Sequence, residues 1–387
     1  MCIRDSDHSG IQRVVFGILR QWLLHPPAGW AVEPVYTAAD VPGYRYARRF
    51  CSRFLGIDAG WAEDAPADAW AGDHFVGLDW AAHIVPQRQV LLAGWRDRGV
   101  SIDFVVYDLL PVLRPDCFPE GASQHFKAWL QTMAHVADGL IGISRATLDD
   151  LRAWFDAEQP TRLRPLRLGY WHMGADVEQA APSAGLPDAA AQTLHAIKQR
   201  PTFLMVGTLE PRKGHAQTLA AFEQLWAKGS ELNLVIVGKQ GWMVQALLER
   251  LSQHAQAQRR LFWLQGISDE YLEQIYAAST CLIAASQAEG YGLPLIEAAR
   301  HHVPIIARDL PVFREVAGEH AHYFSAEQPE QLAAAIEQWL LLHASGKAPP
   351  SSAMPWLTWQ QSATTLQTML QDAQHPQWTH VWQSKDR

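Results

Sequence analysis

Alternating strand-like and helix-like runs predict an α/β protein built on doubly wound parallel sheets. Three observations carry this reading. In the second half, apolar runs begin near Phe203, Leu234, Leu261, Cys281, Pro304 and His322, with helical patterns between them. The first half repeats the alternation less regularly. A stretch rich in Ala, Ser, Gly and Pro at 177–187 reads as a linker between the halves. With 387 residues the chain is long enough for two domains. The expected division is 1–180 for the first domain and 181–355 for the second, with 356–387 a final helix and tail that can pack back on the first.

Taken in order, the chain opens poorly for such a fold. Met1-Cys2-Ile3-Arg4-Asp5-Ser6 is too short and polar for a buried strand, so the first strand is expected to be missing. Asp5-Ser6-Asp7 matches a metal-binding D-x-D pattern and is read as coincidence. His8-Ser9-Gly10 then turns into a helix at 11–24, ended by Pro26 and Pro27. That helix is apolar but carries Arg13 and Arg20; a core helix is favoured over a membrane-surface one. Strands are expected at 31–36, 74–78, 102–107, 139–143 and 166–173. Helices are expected at 44–54, 86–98, 124–137 and 144–155, the last capped by Ser144. In the second half helices are expected at 216–228, 241–254, 269–278, 294–301, 311–316 and 330–342. Thr358-Trp359-Gln360-Gln361 is a capping-box pattern that opens a helix running to Gln371.

Composition narrows the function. Hydrophobic residues make up 48% and charged residues 19%, as in a folded globular protein. The net charge of −8, with no long basic stripe, argues against nucleic acid as the main partner. No apolar run reaches the ~18–20 residues of a membrane span, and no signal peptide is visible. Cys2, Cys51, Cys117 and Cys281 are scattered without metal-ligand spacing, which suits a reducing cytoplasm. Most of the 17 tryptophans are expected in the core or at interfaces.

The chemistry concentrates in Glu289-Gly290-Tyr291-Gly292-Leu293-Pro294-Leu295-Ile296-Glu297, which follows the apolar run 281–285. Its glycines allow a sharp turn and close approach to a ligand, and Pro294 suits a first helical turn. Free N–H groups at a helix start form an anion site. Glu289 and Glu297 accept hydrogen bonds, which suits sugar hydroxyls. The alternative is a plain strand-to-helix turn with two solvated glutamates. Two further turns should line the same edge: Gly207-Thr208-Leu209-Glu210-Pro211-Arg212-Lys213-Gly214 and Gly238-Lys239-Gln240-Gly241-Trp242. Arg212 offers a bidentate fork and Lys213 a point charge, both matched to phosphate oxygens. In the first half Asp108 follows the strand 102–107 at its carboxyl end, the end that faces the ligand crevice in open α/β sheets. It is a candidate for chemistry or, equally, a helix cap.

The segment 203–214, F-L-M-V-G-T-L-E-P-R-K-G, with the E-x7-E stretch from Glu289 to Glu297, resembles the retaining glycosyltransferases of family 4, which have the GT-B fold. Gly266-Ile267-Ser268-Asp269 matches as well. Ser9-Gly10-Ile11-Gln12-Arg13-Val14 and Val106-Tyr107-Asp108-Leu109-Leu110-Pro111 resemble a branch with mannosyl- and rhamnosyltransferases of bacterial surface polysaccharides. The resemblance implies two Rossmann-like domains facing a cleft, an acceptor-side first domain and a donor domain after residue 180. It implies that Arg212 and Lys213 bind the donor diphosphate, Glu297 the ribose and Glu289 the donor sugar. The backbone of Gly290, Tyr291, Gly292 and Leu293 would meet sugar and phosphate. Gly207, Gly238, Gly266 and Ile267 would belong to the donor-binding loops, and Gly10 to the first-domain loop facing the phosphate. Where many relatives have His-Asp, this chain has Tyr107-Asp108, so no histidine role transfers. The expected activity is hexosyl transfer, mannose or rhamnose favoured, from a nucleoside-diphosphate sugar, GDP-sugar favoured, to a glycan or lipid-linked glycan, with retention and without metal or cofactor. Arg212, Lys213, Glu289 and Asp108 are the candidates for the chemistry. The expected location is the cytoplasm, with peripheral contact at the inner membrane face as a further option. Alternatives are a non-catalytic nucleotide-sugar binder and an epimerase or phosphorylase of the same fold.

Overall fold

The computed structural model describes residues 10–57, 63–176, 183–325 and 327–384. The expectations for residues 1–9, including Asp5-Ser6-Asp7, and for most of the linker at 177–187 lie outside them. The chain divides into two compact units. The first comprises 1–113, 121–180 and 357–387; the second comprises 114–120 and 181–356. The stretch 114–120, read from sequence as part of the first domain, therefore belongs with the second.

The first unit opens with α1 (Gly10–Leu24). It continues through β1 (Val35–Tyr36), β2 (Arg45–Tyr46), α2 (Arg48–Phe54), β3 (His74–Gly77), α3 (Gln89–Asp97) and β4 (Ser101–Val106). Then come α4 (Leu110–Leu113), α5 (Ala122–Val136), β5 (Gly139–Gly142), α6 (Arg145–Glu158) and β6 (Leu166–Tyr170). Strands β3, β4, β5 and β6 are parallel neighbours. Their side chains meet α3, α5 and α6 in a core built on Trp95, Phe104, Trp129 and Phe155. Ser144 caps α6 by accepting from the Thr147 N–H, as its sequence position predicts.

Three expectations need correction here. The strand expected at 31–36 is reduced to β1, which pairs only with β2 and antiparallel to it. Pro34 can donate no ladder hydrogen bond, which limits the strand's start. The helix expected at 44–54 begins only at Arg48, because Arg45 and Tyr46 are used in β2. Pro86 sits in a 3-10 turn, so α3 starts later than the helix expected at 86–98.

The second unit contains α7 (Ala190–Lys198), β7 (Thr202–Val206), α8 (His215–Ala227), β8 (Asn233–Val237), α9 (Gln245–Gln253) and β9 (Leu261–Leu264). It goes on with α10 (Asp269–Ala278), β10 (Cys281–Ala284), α11 (Leu293–Arg300), β11 (Ile305–Arg308), α12 (Pro311–Ala317), β12 (His322–Phe324) and α13 (Pro329–Ala344). Its six strands are all parallel, in the order β12-β11-β10-β7-β8-β9. This is the doubly wound arrangement, with the strand order reversing between β7 and β10. Phe203 meets Phe222 and Trp339 edge-on, each at 5.6 Å between ring centroids, at the centre of the core.

The tail adds α14 (Trp359–Gln371) and β13 (Trp378–Trp382) to the first unit. Thr358 and Gln361 form the capping box that the sequence announces. Strand β13, not anticipated, pairs antiparallel with β6. Helix α14 packs on α1: a Cβ on Gly17 would lie 2.5 Å from the Trp359 ring, and the Trp22 indole donates to the Ala363 carbonyl. Helix α1 thus buries Val14, Val15 and Ile18 as a core helix. No described helix is long and apolar enough to cross a membrane.

The fully buried Trp171 donates its indole N–H to Ser362 Oγ at 2.7 Å, and Ser362 donates to the His172 carbonyl. Ser362→Ala removes only the hydroxyl and leaves the buried Trp171 indole N–H without this acceptor. It is expected to cost about 1–3 kcal/mol for the orphaned group, read as a lower denaturation midpoint in urea with unchanged far-UV circular dichroism.

Candidate functional site

Parallel strands place all their carboxyl ends on one edge of the sheet. In the second unit the turns after β10, β7, β8 and β9 are consecutive along that edge. The two at the reversal of strand order, after β7 and β10, carry Arg212-Lys213 and Glu289–Glu297. In doubly wound sheets this reversal opens the crevice used for ligands.

Glycines let these turns pack closely. A Cβ on Gly238 would stand 1.9 Å from the Gly207 carbonyl oxygen, and one on Gly241 2.4 Å from the Leu209 oxygen. Leu209 N–H donates to the Lys239 carbonyl and Gly241 N–H to that of Leu209, so the second turn is hydrogen-bonded to the first. This role holds residues 241–244 out of helix and delays α9 to Gln245. Gly214, at φ +74°, brings the first turn against the third: its Cβ would lie 2.3 Å from the Ala285 oxygen. Gln287 N–H completes the seam by donating to the Arg212 carbonyl at 2.7 Å.

On this frame the charged groups converge. Arg212 donates from Nη1 to Glu289 Oε2 at 2.9 Å and to the Ala288 carbonyl at 3.1 Å. Its Nη2 lies 3.0 Å from Glu210 Oε2. Lys213 Nζ donates to the other Glu289 oxygen, as does Ser286 Oγ at 2.8 Å. The side chains of Arg212, Lys213 and Glu289 are only 12%, 18% and 11% exposed. Burial alone would push the Glu289 pKa up; the Lys213 and Arg212 charges, with hydrogen bonds from Lys213 and Ser286, outweigh it and hold the carboxyl at about 2. His215, first in α8, is buried beside them; burial and then the Lys213 charge lower its pKa to about 3, so it is neutral.

The glycine stretch turns as its sequence predicts. Gly292 has φ +109°, and a Cβ there would meet the Phe313 ring at 2.8 Å. Pro294 lies in the first turn of α11. Gly290 and Tyr291 are buried beneath the turn. Glu297, one turn into α11, is buried and accepts a 2.7 Å hydrogen bond from the Tyr276 hydroxyl. The His301 ring stacks on Tyr276 at 5.3 Å and 3°. After β9, Gly266 adopts φ +60° and Ile267 leads to Ser268, which caps α10. Thus Gly207, Arg212, Lys213, Gly238, Gly266, Ile267 and the 289–297 stretch share one sheet edge. Gly10, the exposed first residue of α1, and Asp108 belong to the first unit. Asp108 accepts from the Leu110 N–H at 3.0 Å, the capping role given as its alternative. Nearby Asp150 is raised to about 6, by burial and then by the charges of Asp108 and Asp149.

Sequence reasoning missed several supports. Ser286 and Tyr276 orient the two glutamates, and no spacing rule marks them. Arg308, at the end of β11, donates to the Ala285 and Ser286 carbonyls and fixes the exit of β10. The 114–120 stretch also reaches the loops: Arg114 donates to Gln287 Oε1 at 3.0 Å, and the Trp242 indole to the Cys117 carbonyl at 2.8 Å. Among the described residues no group of three or more His, Cys, Asp or Glu is placed to hold a metal.

The Glu289 pKa falls from 4.5 to about 2 on folding, so its contribution is present above about pH 4.5 and is lost as pH falls towards 2. Glu289→Gln is expected to cost on the order of 3 kcal/mol at pH 7. That deficit should shrink as thermal unfolding of both proteins is followed from pH 5 towards pH 2. A deficit independent of pH over this window would contradict the assignment.

Residues 189–348 match the family described as glycosyl transferases group 1. Across 367 residues the chain is 46% identical to the serotype-specific mannosyltransferase WbdA of Escherichia coli, covering 94% of this chain and 44% of that protein. It thus spans less than half the length of that relative. The O-antigen chain mannosyltransferase B of Escherichia coli is 31% identical over 117 residues, 30% of each chain. Among solved structures, Alr3699/HepE of Anabaena in complex with UDP-glucose superposes with a TM-score of 0.57 at 15% identity, covering 78% of both chains. A UDP-forming α,α-trehalose-phosphate synthase of Burkholderia xenovorans, in complex with glucose-6-phosphate, gives 0.57 at 13% identity, covering 77% of this chain and 72% of that one. These structures share the fold of two Rossmann-like domains. Residues 189–348 thus carry a glycosyl transferases group 1 domain, and the chain, with the GT-B fold, resembles the mannosyltransferase branch of bacterial surface-polysaccharide synthesis.

Proposed function

We propose that the chain transfers mannose, with retention of configuration, from a nucleoside-diphosphate mannose to a hydroxyl of a growing surface glycan. The observation that carries this is the cation pair Arg212-Lys213 facing the glycine stretch at the reversal of strand order. The 46% identity to a mannosyltransferase supports mannose as the sugar. GDP is the favoured carrier; UDP is the competitor, since a structural neighbour holds UDP-glucose. The acceptor is a glycan or lipid-linked glycan, met on the cytoplasmic side of the membrane.

The chain's own groups fit the charge flow of such a transfer. The bond from the anomeric carbon to the diphosphate oxygen breaks, and the bond to the acceptor oxygen forms on the same face. The acceptor proton passes to the departing phosphate. Negative charge therefore grows on the diphosphate, where Arg212, Lys213 and the N-terminus of α11 stabilise it without reorganising. Glu289 holds both cations in place before the donor arrives and offers an acceptor to sugar hydroxyls. Glu297, aligned by Tyr276, takes the ribose hydroxyls. Asp108 remains the candidate for orienting the acceptor.

Lys213→Ala is expected to lower kcat by roughly 10²-fold or more, and Glu297→Ala to raise the donor KM, both with unchanged circular dichroism. The assay is release of GDP from GDP-mannose with a mannose-terminated acceptor, run beside UDP- and dTDP-sugars. Full transfer by both variants would refute the proposal. Tyr276→Phe should raise the donor KM about fivefold to tenfold, the worth of one hydrogen bond of ~1–1.5 kcal/mol, with kcat retained. With a 2′,3′-dideoxyribose donor that penalty should vanish, which a purely structural defect would not produce.

A further inference from the structure

His215 opens α8 two residues after the cation pair and is 2% exposed. Its Nδ1 is buried and, among the described residues, meets no hydrogen-bond partner. Buried polar side chains are nearly always paired, and a buried nitrogen left without a partner costs about 1–3 kcal/mol. The other polar residue buried in α8, Thr218, is satisfied: its hydroxyl donates to the Gly214 carbonyl at 3.0 Å. An apolar residue at 215 would serve the packing of the helix equally well. The imidazole therefore asks for an explanation outside the fold.

The ring lines a cavity of about 20 Å³, walled also by Lys213, Ser286, Glu289, Gly292 and Phe313. That is room for one water-sized oxygen. The polar walls restrict what this oxygen can be. Glu289 only accepts, and its two oxygens already receive three hydrogen bonds, from Arg212, Lys213 and Ser286. A carboxylate has about four acceptor sites, so one is left. The His215 ring, kept neutral by burial and by the Lys213 charge, carries one donor and one acceptor. A phosphate oxygen in this space would set its negative charge against Glu289. An apolar group would leave Nδ1 unpaired. A hydroxyl, donor and acceptor in one atom, satisfies Glu289 and His215 together.

We propose that His215 selects the donor sugar: its Nδ1 and the remaining acceptor site of Glu289 share one hydroxyl of the hexose carried on the nucleoside diphosphate. The inference rests on the donor-site reading given above and deepens it. Arg212 and Lys213 act on the diphosphate, which is common to all donors. A cavity for one hydroxyl separates a hexose that presents an oxygen there from one that lacks it or turns it away. Burial sharpens the choice, because a donor without that hydroxyl leaves the buried polar groups unpaired.

The test is calorimetric binding of GDP, of GDP-mannose and of its 2-, 3-, 4- and 6-deoxy forms to the full chain, with UDP and UDP-glucose as a second pair. His215→Phe and His215→Met both fill the space without a nitrogen, so a folding defect in one leaves the other for the comparison. His215→Asn restores an amide near the place of Nδ1. The Phe and Met variants are expected to bind GDP-mannose about fivefold to tenfold more weakly, the worth of one hydrogen bond, with GDP affinity unchanged. The Asn variant should recover most of the loss. For one of the four deoxy donors the variants and the unaltered chain should bind equally. An equal loss for GDP and GDP-mannose would place a structural water in the cavity and overturn the inference. So would an unchanged affinity, or a penalty that is the same for all four deoxy donors. If UDP-glucose binds and GDP-mannose does not, the same comparison is read against UDP. Transfer is assayed alongside: the expected binding pattern without transfer refutes the proposed function and leaves the subsite, whereas transfer without a sugar-specific penalty refutes the subsite alone. Binding of neither donor refutes both.

Discussion

The second unit is organised around one buried carboxylate. Glu289 has an arginine on one oxygen and a lysine and a serine on the other. These groups come from turns after β7 and β10, strands that are neighbours in space but far apart in sequence. With Glu210 on the other side of Arg212, four charged groups lose water here, which is costly unless they satisfy one another. The close approach of the turns follows from glycines whose Cβ positions are already filled by backbone atoms: Gly214 against Ala285, Gly238 against Gly207. The ion cluster requires this approach, and the approach requires residues without side chains. The glycines and the charges are one device, and neither half of it works alone.

Much of this was legible in the sequence because its pattern is local. Six apolar runs at regular spacing specify a parallel sheet, and parallelism sends every carboxyl end to one edge. The basic pair and the E-x7-E stretch could therefore be assigned to a common edge without coordinates. What could not be read was the partnership between turns. Nothing about Tyr276 or Ser286 in sequence points to Glu297 or Glu289. Arg308 looks like the end of a strand, and only its carbonyl partners reveal it as a prop for the exit of β10. The 114–120 stretch shows the same limit. Its Arg114 and Cys117 reach Gln287 and Trp242, residues more than a hundred positions away, and no periodicity reports a contact of that kind.

The first unit was read less well for a physical reason. Strand β1 has only two residues, too few to show a period, whereas β3 and β5 lie where the sequence predicts them. Strand β13 comes from the far end of the chain, where an alternating Trp-Thr-His-Val-Trp segment resembles any exposed tail until β6 is available to pair with it. The helical tail was easier, because a capping box is a local signal that works before any tertiary contact forms. Local chemistry marks where elements begin. Long-range pairing decides how far they extend, and that information is spread over residues distant in sequence.

A buried cluster of two cations and two carboxylates, Glu289 and Glu210, is an uneconomical way to hold a fold, since a well-packed apolar core of the same volume is often as stable or more so. Its retention at the reversal of strand order makes sense if the cations serve something other than the fold. In the proposed reading Glu289 keeps Arg212 and Lys213 desolvated and oriented while the site is empty. A diphosphate brings more negative charge than one carboxylate and can share both cations without the side chains moving far. The electrostatic cost is then met during folding, and little reorganisation remains for the reaction. The same logic explains why His215, beside Lys213, is neutral: a third positive charge in that space would raise the cost of burial and weaken the hold of Glu289 on the other two.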